Sequence, residues 1–511
     1  MVPEPWYRIA ERSRDRQGNR SFRAKAHQGA KDATALQGWP SHDFWPEGPF
    51  CKIDLASWRL GAPSARASSD RTARLAAILT LAGRAAMVPT ETNRQQTLRA
   101  KAENNMRDNR TRRSVTAFAS VIAVAAGVLG GTVAARAQEP FRIGVVEDLN
   151  GTYSGNGGPN SVLATKMAVE DFGGSVLGRP IEVIGVDHQT KPDLGVTLAR
   201  QLIDQSHVSM LNIGGSSGVG LAVQNVTRER RVTSIQSGNY AASIAGKSCS
   251  PYGTQWAVST TALARAAAGG LLRTGAKTWY LIEADYAFGH DLANDVQQTV
   301  EAGGGKIVGR TLHPLATTDM SSPLLQAQTS RADMIAFANA GPDLVNSVKQ
   351  AKEFGITNTA ALLVFINNVV AMGLDTAQGL RFPVSFYWDM NDQSRAFAKR
   401  FMARAGGTAP GMSHGMSYIS TLHYLQAVKK VGSDDPVAVN KAMREMPFTD
   451  GMLNNPRIQT NGSVAVDIML VQVKTPAESK YPNDVYKILD KVPSDKLFPT
   501  AEQSGCTQLQ P

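Results

Sequence analysis

From about residue 141 onward this 511-residue chain alternates short apolar runs with longer stretches of helical periodicity, and that alternation restricts its fold more than any other feature. The runs FRIGVVEDL, IEVIGVDH, VSMLNIGG and VTSIQSG are separated by segments such as SVLATKMAVEDFGG and PDLGVTLARQLIDQS. Strands separated by helices of about 10–15 residues predict parallel sheets with helices on both faces. The pattern then resumes with KTWYLIEAD, KIVGRTLHP, DMIAFANA, ALLVFINN and FPVSFYWD. We therefore expect an α/β protein of two doubly wound lobes, residues 138–252 and 257–389. Residues 390–511 add a long amphipathic helix (SHGMSYISTLHYLQAVKKVG), a second helix (PVAVNKAMREM) and two late strands (SVAVDIMLVQVK and DVYKILDKV). A tail that crosses back between the lobes and partly rejoins the first would make a multi-stranded hinge about which they rock.

Charge narrows the partners. The chain carries 54 Lys+Arg against 43 Asp+Glu, but the whole excess of +11 falls in residues 1–137. The rest is balanced and holds no basic patch, so no nucleic-acid partner is expected. The basic segment explains itself: MRDNRTRR precedes the uncharged run Ser114–Ala135, and Ala135 and Ala137 form an A-x-A cleavage site before Gln138. Residues 106–137 thus have the form of a signal peptide that directs the chain to the periplasm. The run is rich in Ala, Gly and Ser, unlike the Leu, Ile and Phe density of a membrane anchor, the alternative reading. TRRSV resembles a twin-arginine signal only faintly, and the ordinary secretory route is preferred. A signal peptide acts from the N-terminus, so Met106 is the expected start, and residues 1–105, without sustained periodicity, are a misread or disordered extension.

Of three cysteines, Cys51 lies in that extension and Cys249 and Cys506 in the exported body. Two thiols in an oxidising compartment predict one disulfide; two independent buried thiols are the alternative.

In open α/β sheets, ligands bind beyond the carboxyl ends of the strands. Those ends here read NGTYSGNGG, NIGGSSG, QSGNY, EADYAFG, FANAG and VFINN. Glycine permits close backbone approach, and helix-start N–H groups favour an anion such as a carboxylate. Any one of these could be an ordinary strand–helix turn; six together point to a ligand cleft. Enzyme signatures compete with that reading. Gly214-Gly215-Ser216-Ser217-Gly218 matches G-x-S-x-G after a strand and before a helix, so an exported serine hydrolase using Ser216 is one alternative. Its base would have to be His414 or His423, both inside the long helix. The GKS at Gly246–Ser248 lacks the spacing of a phosphate loop, the opening glycines never complete G-x-G-x-x-G, and no histidine pattern makes a metal site. No cofactor or metal is expected. Among the aromatic residues Tyr153, Tyr240, Trp256, Tyr286, Phe288, Tyr387 and Trp388, the three tyrosines just past strand ends are best placed to line a cleft, with a ring for apolar contact and a hydroxyl for hydrogen bonding.

FRIGVVEDLNGTYSGNGG, VLGRPIEVIGVDHQTKPD, EADYAFGHDL and DMIAFANAGPDLVNSVKQAKEFGI, in this order, resemble the branched-chain amino acid type of periplasmic substrate-binding protein over nearly all of residues 140–506. The resemblance implies two α/β lobes joined by three crossings, closing on a small-molecule ligand that is handed to the permease subunits of an ABC importer, with no catalysis and with the binding protein a monomer. It implies that Ser216 and Ser217 offer backbone N–H and hydroxyl groups to a carboxylate, assisted by Gly238 and Asn239, and that Tyr286 and Phe288 approach from the second lobe. Tyr153, Ser154, Tyr240, Trp256 and Asn339, on or beside the same turns, complete the expected ligand-binding set. One departure stands out. The acidic partner of an amino acid's ammonium is expected near Thr317, and the only acid of HPLATTDMSS is Asp319. Besides the hydrolase, a ligand-sensing receptor domain is a further alternative, since receptors share the fold. Mass spectrometry of protein recovered from the periplasm should find the chain beginning at Gln138; attachment of residues 1–105 would contradict the assigned start.

Overall fold

The computed structural model describes residues 139–508. The extension, the signal peptide and Cys51 lie outside the described residues. The chain divides into two compact units, residues 1–117 and 118–511, and everything described belongs to the second.

The first lobe contains β1 (Phe141–Glu147), α1 (Gly158–Phe172), β2 (Ser175–Val176), β3 (Arg179–Asp187), α2 (Pro192–Asp204), β4 (Met210–Ile213), α3 (Ser217–Arg230), β5 (Thr233–Gln236) and β6 (Gly253–Gln255). Its sheet runs β2-β3-β1-β4-β5-β6. All pairs are parallel except the short β2–β3 ribbon. β1 lies between β3 and β4 under helices, so nearly all of FRIGVVE is buried, whereas β3, nearer the edge, alternates in exposure.

The second lobe repeats the plan. Its elements are α4 (Thr260–Leu272), β7 (Thr278–Ala284), α5 (Ala287–Ala302), β8 (Lys306–His313), α6 (Ser321–Thr329), β9 (Met334–Ala338), α7 (Gly341–Glu353) and β10 (Thr359–Ala361). The order β10-β9-β7-β8 is wholly parallel. In each lobe the first long strand is flanked by the second and the third, which makes a switch point at its carboxyl end.

Three expectations need correction. FPVSFYWD does not extend the parallel sheet: after α8 (Ile366–Met372) and α9 (Leu374–Ala377), β11 (Arg381–Val384) pairs antiparallel with a strand from the tail. ALLVFINN is strand only at its start, and its asparagines belong to α8, because the apolar residues Leu362–Phe365 are buried without pairing. The long helix, which follows α10 (Asp392–Arg404), is not amphipathic. This α11 (Met412–Val431) is buried on almost every side, because it packs against α1 and against α12 (Pro436–Glu445). Thr421 and Ser417 hydrogen-bond Asn212 and Ser237 of the first sheet, and the Tyr418 hydroxyl donates to Asp171 at 2.6 Å. Arg400 and Arg404 of α10 form forked ion pairs with Asp171 and Glu170.

The chain crosses between lobes after β6, after β11 and again between the short ribbon β12–β13 (Arg457–Ile458, Val464–Ala465) and β14 (Ile468–Val473). At the last crossing the Gln255 N–H bonds the Gly462 carbonyl at 2.8 Å. β14 pairs with β11 and with β15 (Tyr486–Val492), completing a three-stranded antiparallel sheet. The final turn returns to the first lobe, where Cys506 is disulfide-bonded to Cys249 with Cα atoms 5.6 Å apart. This bond spans 257 residues of sequence and ties the C-terminal tail to the loop after β5. Closing so long a loop restricts the unfolded chain, so Cys506→Ser or reduction should cost about 2–4 kcal/mol and lower the melting temperature. Equal melting with and without reductant would contradict this.

Candidate functional site: a cleft between two switch points

Asp148, just past β1, shapes the first turn. Its carboxylate accepts the N–H groups of Gly151 (2.8 Å) and Tyr153 (2.7 Å) and the Thr190 hydroxyl (2.7 Å). The chain therefore doubles back and delivers the Tyr153 ring to the cleft before α1 begins. Past β4, Gly215 adopts φ +78°, a left-handed conformation that favours glycine. Close approach is needed here too, because the buried Glu147 carboxyl lies directly behind these turns. A Cβ on Gly157 would stand 2.8 Å from its Oε2 and one on Gly215 2.7 Å from its Oε1.

Ser217 opens α3, and its hydroxyl oxygen accepts the N–H groups of Tyr240 and Ala241, both at 3.1 Å. A serine hydroxyl has one donor and two acceptor positions. With both acceptor positions occupied, Ser217 has only its O–H to offer a ligand, which suits a carboxylate and not an ammonium.

The two lobes meet here. The Tyr153 and Tyr286 rings stack with centroids 5.9 Å apart, and Phe365 meets Tyr240 edge-on at 5.5 Å. Asn156 Oδ1 accepts from Asn367 (2.9 Å) and Asn368 (3.3 Å) across the gap. Between them lies a narrow cavity with room for about one water molecule, so the lobes are closed down. A ring-sized ligand requires Tyr153 and Tyr286 to part. Burial pushes the hydroxyls of Tyr153, Tyr240 and Tyr286 up, and all three stay neutral.

Of the expected ligand residues, Tyr153, Ser217, Gly238, Tyr240, Tyr286 and Phe288 line this cavity. The others lie elsewhere. Ser216 is the buried N-cap of α3, and the Ser154 hydroxyl donates to the Gly151 carbonyl. Asn239 braces two turns by donating to Ile213 O and Gln236 Oε1. Trp256 packs between His423 and Phe448 in the core with its N–H on Thr254, because it begins the crossing away from the strand ends. Asn339 donates to His313 and Ser347 and holds the β9 end in place. Sequence reasoning missed Phe365 and Ser413, which also line the cavity; the Ser413 hydroxyl lies 3.2 Å from that of Tyr240. Phe365 lies in a run with the composition of a strand, and Ser413 opens a stretch with the period of an amphipathic helix.

The histidines that a hydrolase using Ser216 would call on are engaged elsewhere. His188 and His414 each spend both ring nitrogens on the backbone, His188 on Gly214 O and Thr190 N, His414 on Gly157 O and Gly411 N. His423 bonds the Met443 carbonyl. Burial pushes all three imidazoles down, His414 to about 4. Asp319 is exposed and caps Ser321. Two acids of this lobe are buried: Glu283 of β7, which is ion-paired with Arg310 at 3.0 Å, and Asp343, at the start of α7, whose carboxyl burial pushes up. A larger, polar chamber on the hinge flank, lined by Ser243, Lys247, Gln255, Arg265, Asp291 and Asp295, holds none of the expected ligand residues.

Twin doubly wound lobes closing over facing switch points define a two-lobed binding protein. Comparison with known proteins places the chain in a family: a model described as a periplasmic binding protein matches residues 140–480, and the chain belongs to that family. A periplasmic binding protein from Burkholderia mallei is 39% identical, with a TM-score of 0.71 over 73% of this chain and 100% of that one. A branched chain amino acid ABC transporter periplasmic ligand-binding protein from Burkholderia xenovorans LB400 is 32% identical, with a TM-score of 0.65 over 72% of this chain and 99% of that one. Among curated relatives, Leu/Ile/Val-binding protein homolog 4 of Brucella abortus is 24% identical over 246 residues, which span 46% of this chain and 59% of the relative. Among the described residues, no helix is long and apolar enough to cross a membrane.

The contact between Glu147 and the glycine turns is testable. Gly157→Ala, at a φ of −128° outside the left-handed region, places a methyl against the Glu147 carboxyl. It should destabilise by about 1–3 kcal/mol in urea unfolding; an unchanged midpoint would refute the close packing.

Proposed function

We propose that this chain is an extracytoplasmic solute-binding protein, exported through its signal peptide, that captures a small carboxylate with an aromatic or apolar body and delivers it to an ABC import permease. The supporting observation is the lining of the interlobe cavity: Tyr153, Tyr240, Tyr286, Phe288 and Phe365 supply rings, Ser217 supplies a hydroxyl donor, and no lining side chain is charged. A carboxylate can be held by neutral donors, whereas an ammonium buried without an acidic partner is costly. Binding contacts both lobes at once, so the ligand draws an open–closed equilibrium toward the closed form that the permease would receive.

One observation favours an α-amino acid as a second reading. The carboxyl Oδ1 of Asp343 is buried without a hydrogen-bond partner, close behind Gly341, where a Cβ would stand 3.0 Å from the Tyr153 ring. Thermal-shift screening of benzoate, phenylacetate, isobutyrate, benzamide and leucine separates the two, since binding to the folded clamp raises its melting temperature. Stabilisation by the aromatic carboxylates is expected, with benzamide inactive. Stabilisation by leucine alone would favour Asp343 as an ammonium partner, and stabilisation by benzamide alone would remove the carboxylate. Ser217→Ala should weaken carboxylate binding by about 1.5–3 kcal/mol, the range for a hydrogen bond to a charged group; unchanged affinity would remove Ser217 from the site.

A further inference from the structure

Glu147 ends β1 beneath the cleft and is 1% exposed. Its carboxylate accepts the Asp148 N–H at 3.0 Å. Gly157, Gly214 and Gly215 pack against it so closely that a Cβ on any of them would overlap a carboxyl oxygen. Gly157 and Gly215 also line the cavity, so one thickness of backbone separates the carboxyl from bound ligand.

Among the described residues, no cation answers this charge. On its own strand end the neighbour is Asp148, a second carboxylate. From β3 come Asp187, which holds the Leu149 N–H at 3.0 Å, and His188 on the Gly214 carbonyl. From α11 comes His414 on the Gly157 carbonyl, and from the turn after β5 comes Tyr240. Burial holds both imidazoles down and the Tyr240 hydroxyl up, so all three are neutral near pH 7. The same burial pushes Glu147 up to about 7.

We propose that Glu147 makes ligand capture proton-linked: a carboxylate settles over Gly157 and Gly215 only when Glu147 carries a proton. This rests on the carboxylate reading above. The balance is simple. One proton from solvent adds to a Glu147 carboxyl oxygen as the anion enters, and it returns to solvent as the anion leaves. Below the pKa of Glu147 the proton is already present and capture is independent of pH. Above it, the proton must be taken up, and affinity falls by up to tenfold per pH unit. The ligand's own carboxyl titrates near 4 and contributes nothing to this window.

The experiment is calorimetric titration of the whole exported chain with benzoate at about pH 6 and about pH 9, in buffers of different ionisation enthalpy, for wild type and Glu147→Gln. Wild type should bind roughly 100-fold more weakly at the higher pH, with uptake of close to one proton there, and Glu147→Gln should lose both effects. Equal wild-type affinity at the two pH values, or the same pH dependence in Glu147→Gln, would overturn the coupling while leaving the ligand class intact. No benzoate binding at pH 6 would overturn both. The proton count on wild type needs no variant, so the test survives if Glu147→Gln fails to fold. Melting without ligand gives an independent readout. A carboxyl with a raised folded-state pKa stabilises below its unfolded value near 4.5 and loses that contribution as pH rises to about 7. Glu147→Gln should therefore gain stability relative to wild type between those values, and a constant difference would refute the raised pKa.

Discussion

A parallel strand pair cannot be closed by a hairpin; it needs a crossover of about a dozen residues or more, here a helix for every pair except β5–β6, which a loop joins. Every strand of β3-β1-β4-β5-β6, and every strand of β10-β9-β7-β8, therefore ends on one edge of its sheet. Turns and helix starts gather on that edge, and the reversal of strand order beside β1 and beside β7 opens a crevice in each. Once the crossings set those two edges face to face, the cleft is the place where Tyr153 meets Tyr286 and Tyr240 meets Phe365. The site thus follows from strand direction before any side chain is chosen.

The arrangement holds because the tail belongs to both lobes. α11 fills the first lobe's flank and sends Ser413 into the cavity from its first turn. The β14–β15 strands complete a sheet beside the second lobe, and the disulfide returns the terminus to the first. Closure contacts are few and polar or aromatic by comparison: the Asn156–Asn367 and Asn156–Asn368 bonds, the ring pairs, and the Ser243 N–H on Asp291 at 2.9 Å. An exposed or half-exposed hydrogen bond contributes about 0.5–1.5 kcal/mol net, so such contacts can break and reform without disturbing either core.

Much of this was legible in the sequence because period and punctuation are local. Continuous apolar runs ended by glycine and small polar residues marked the strand ends, and the tyrosines just beyond them are the ones lining the cavity. The errors have a common cause in tertiary context. FPVSFYWD has the composition of a buried strand, but which partner it takes depends on β14, which arrives only at Ile468. SHGMSYISTLHYLQAVKKVG carries enough Ser, His and Tyr to look half exposed, yet hydrogen bonds to Asn212, Ser237 and Asp171 let those groups be buried. Asn239 and Trp256 sit at strand ends in sequence but turn inward, and single-residue direction is not encoded by period. Glu147 gave no signal of its own, since an acid at the end of an apolar run reads as the start of a loop.

The electrostatics of the cleft explain why a binding protein would place neutral donors there. Two unit charges roughly 6–8 Å apart interact by about 2–3 kcal/mol at an effective dielectric near 20. Such a penalty between Glu147 and a bound anion is similar to what a charge-assisted hydrogen bond supplies. A cationic side chain in the lining would reverse that balance, holding carboxylates of every shape and slowing their release to a permease. With only neutral hydroxyl, amide and backbone N–H donors in the lining, a carboxylate would be held weakly enough for the fit of its body among five aromatic rings to decide which carboxylates remain. On the proton-linked reading, the cost of protonating Glu147 above its pKa would sharpen the choice, because it sets a threshold that only a ligand making full contact with both lobes can exceed.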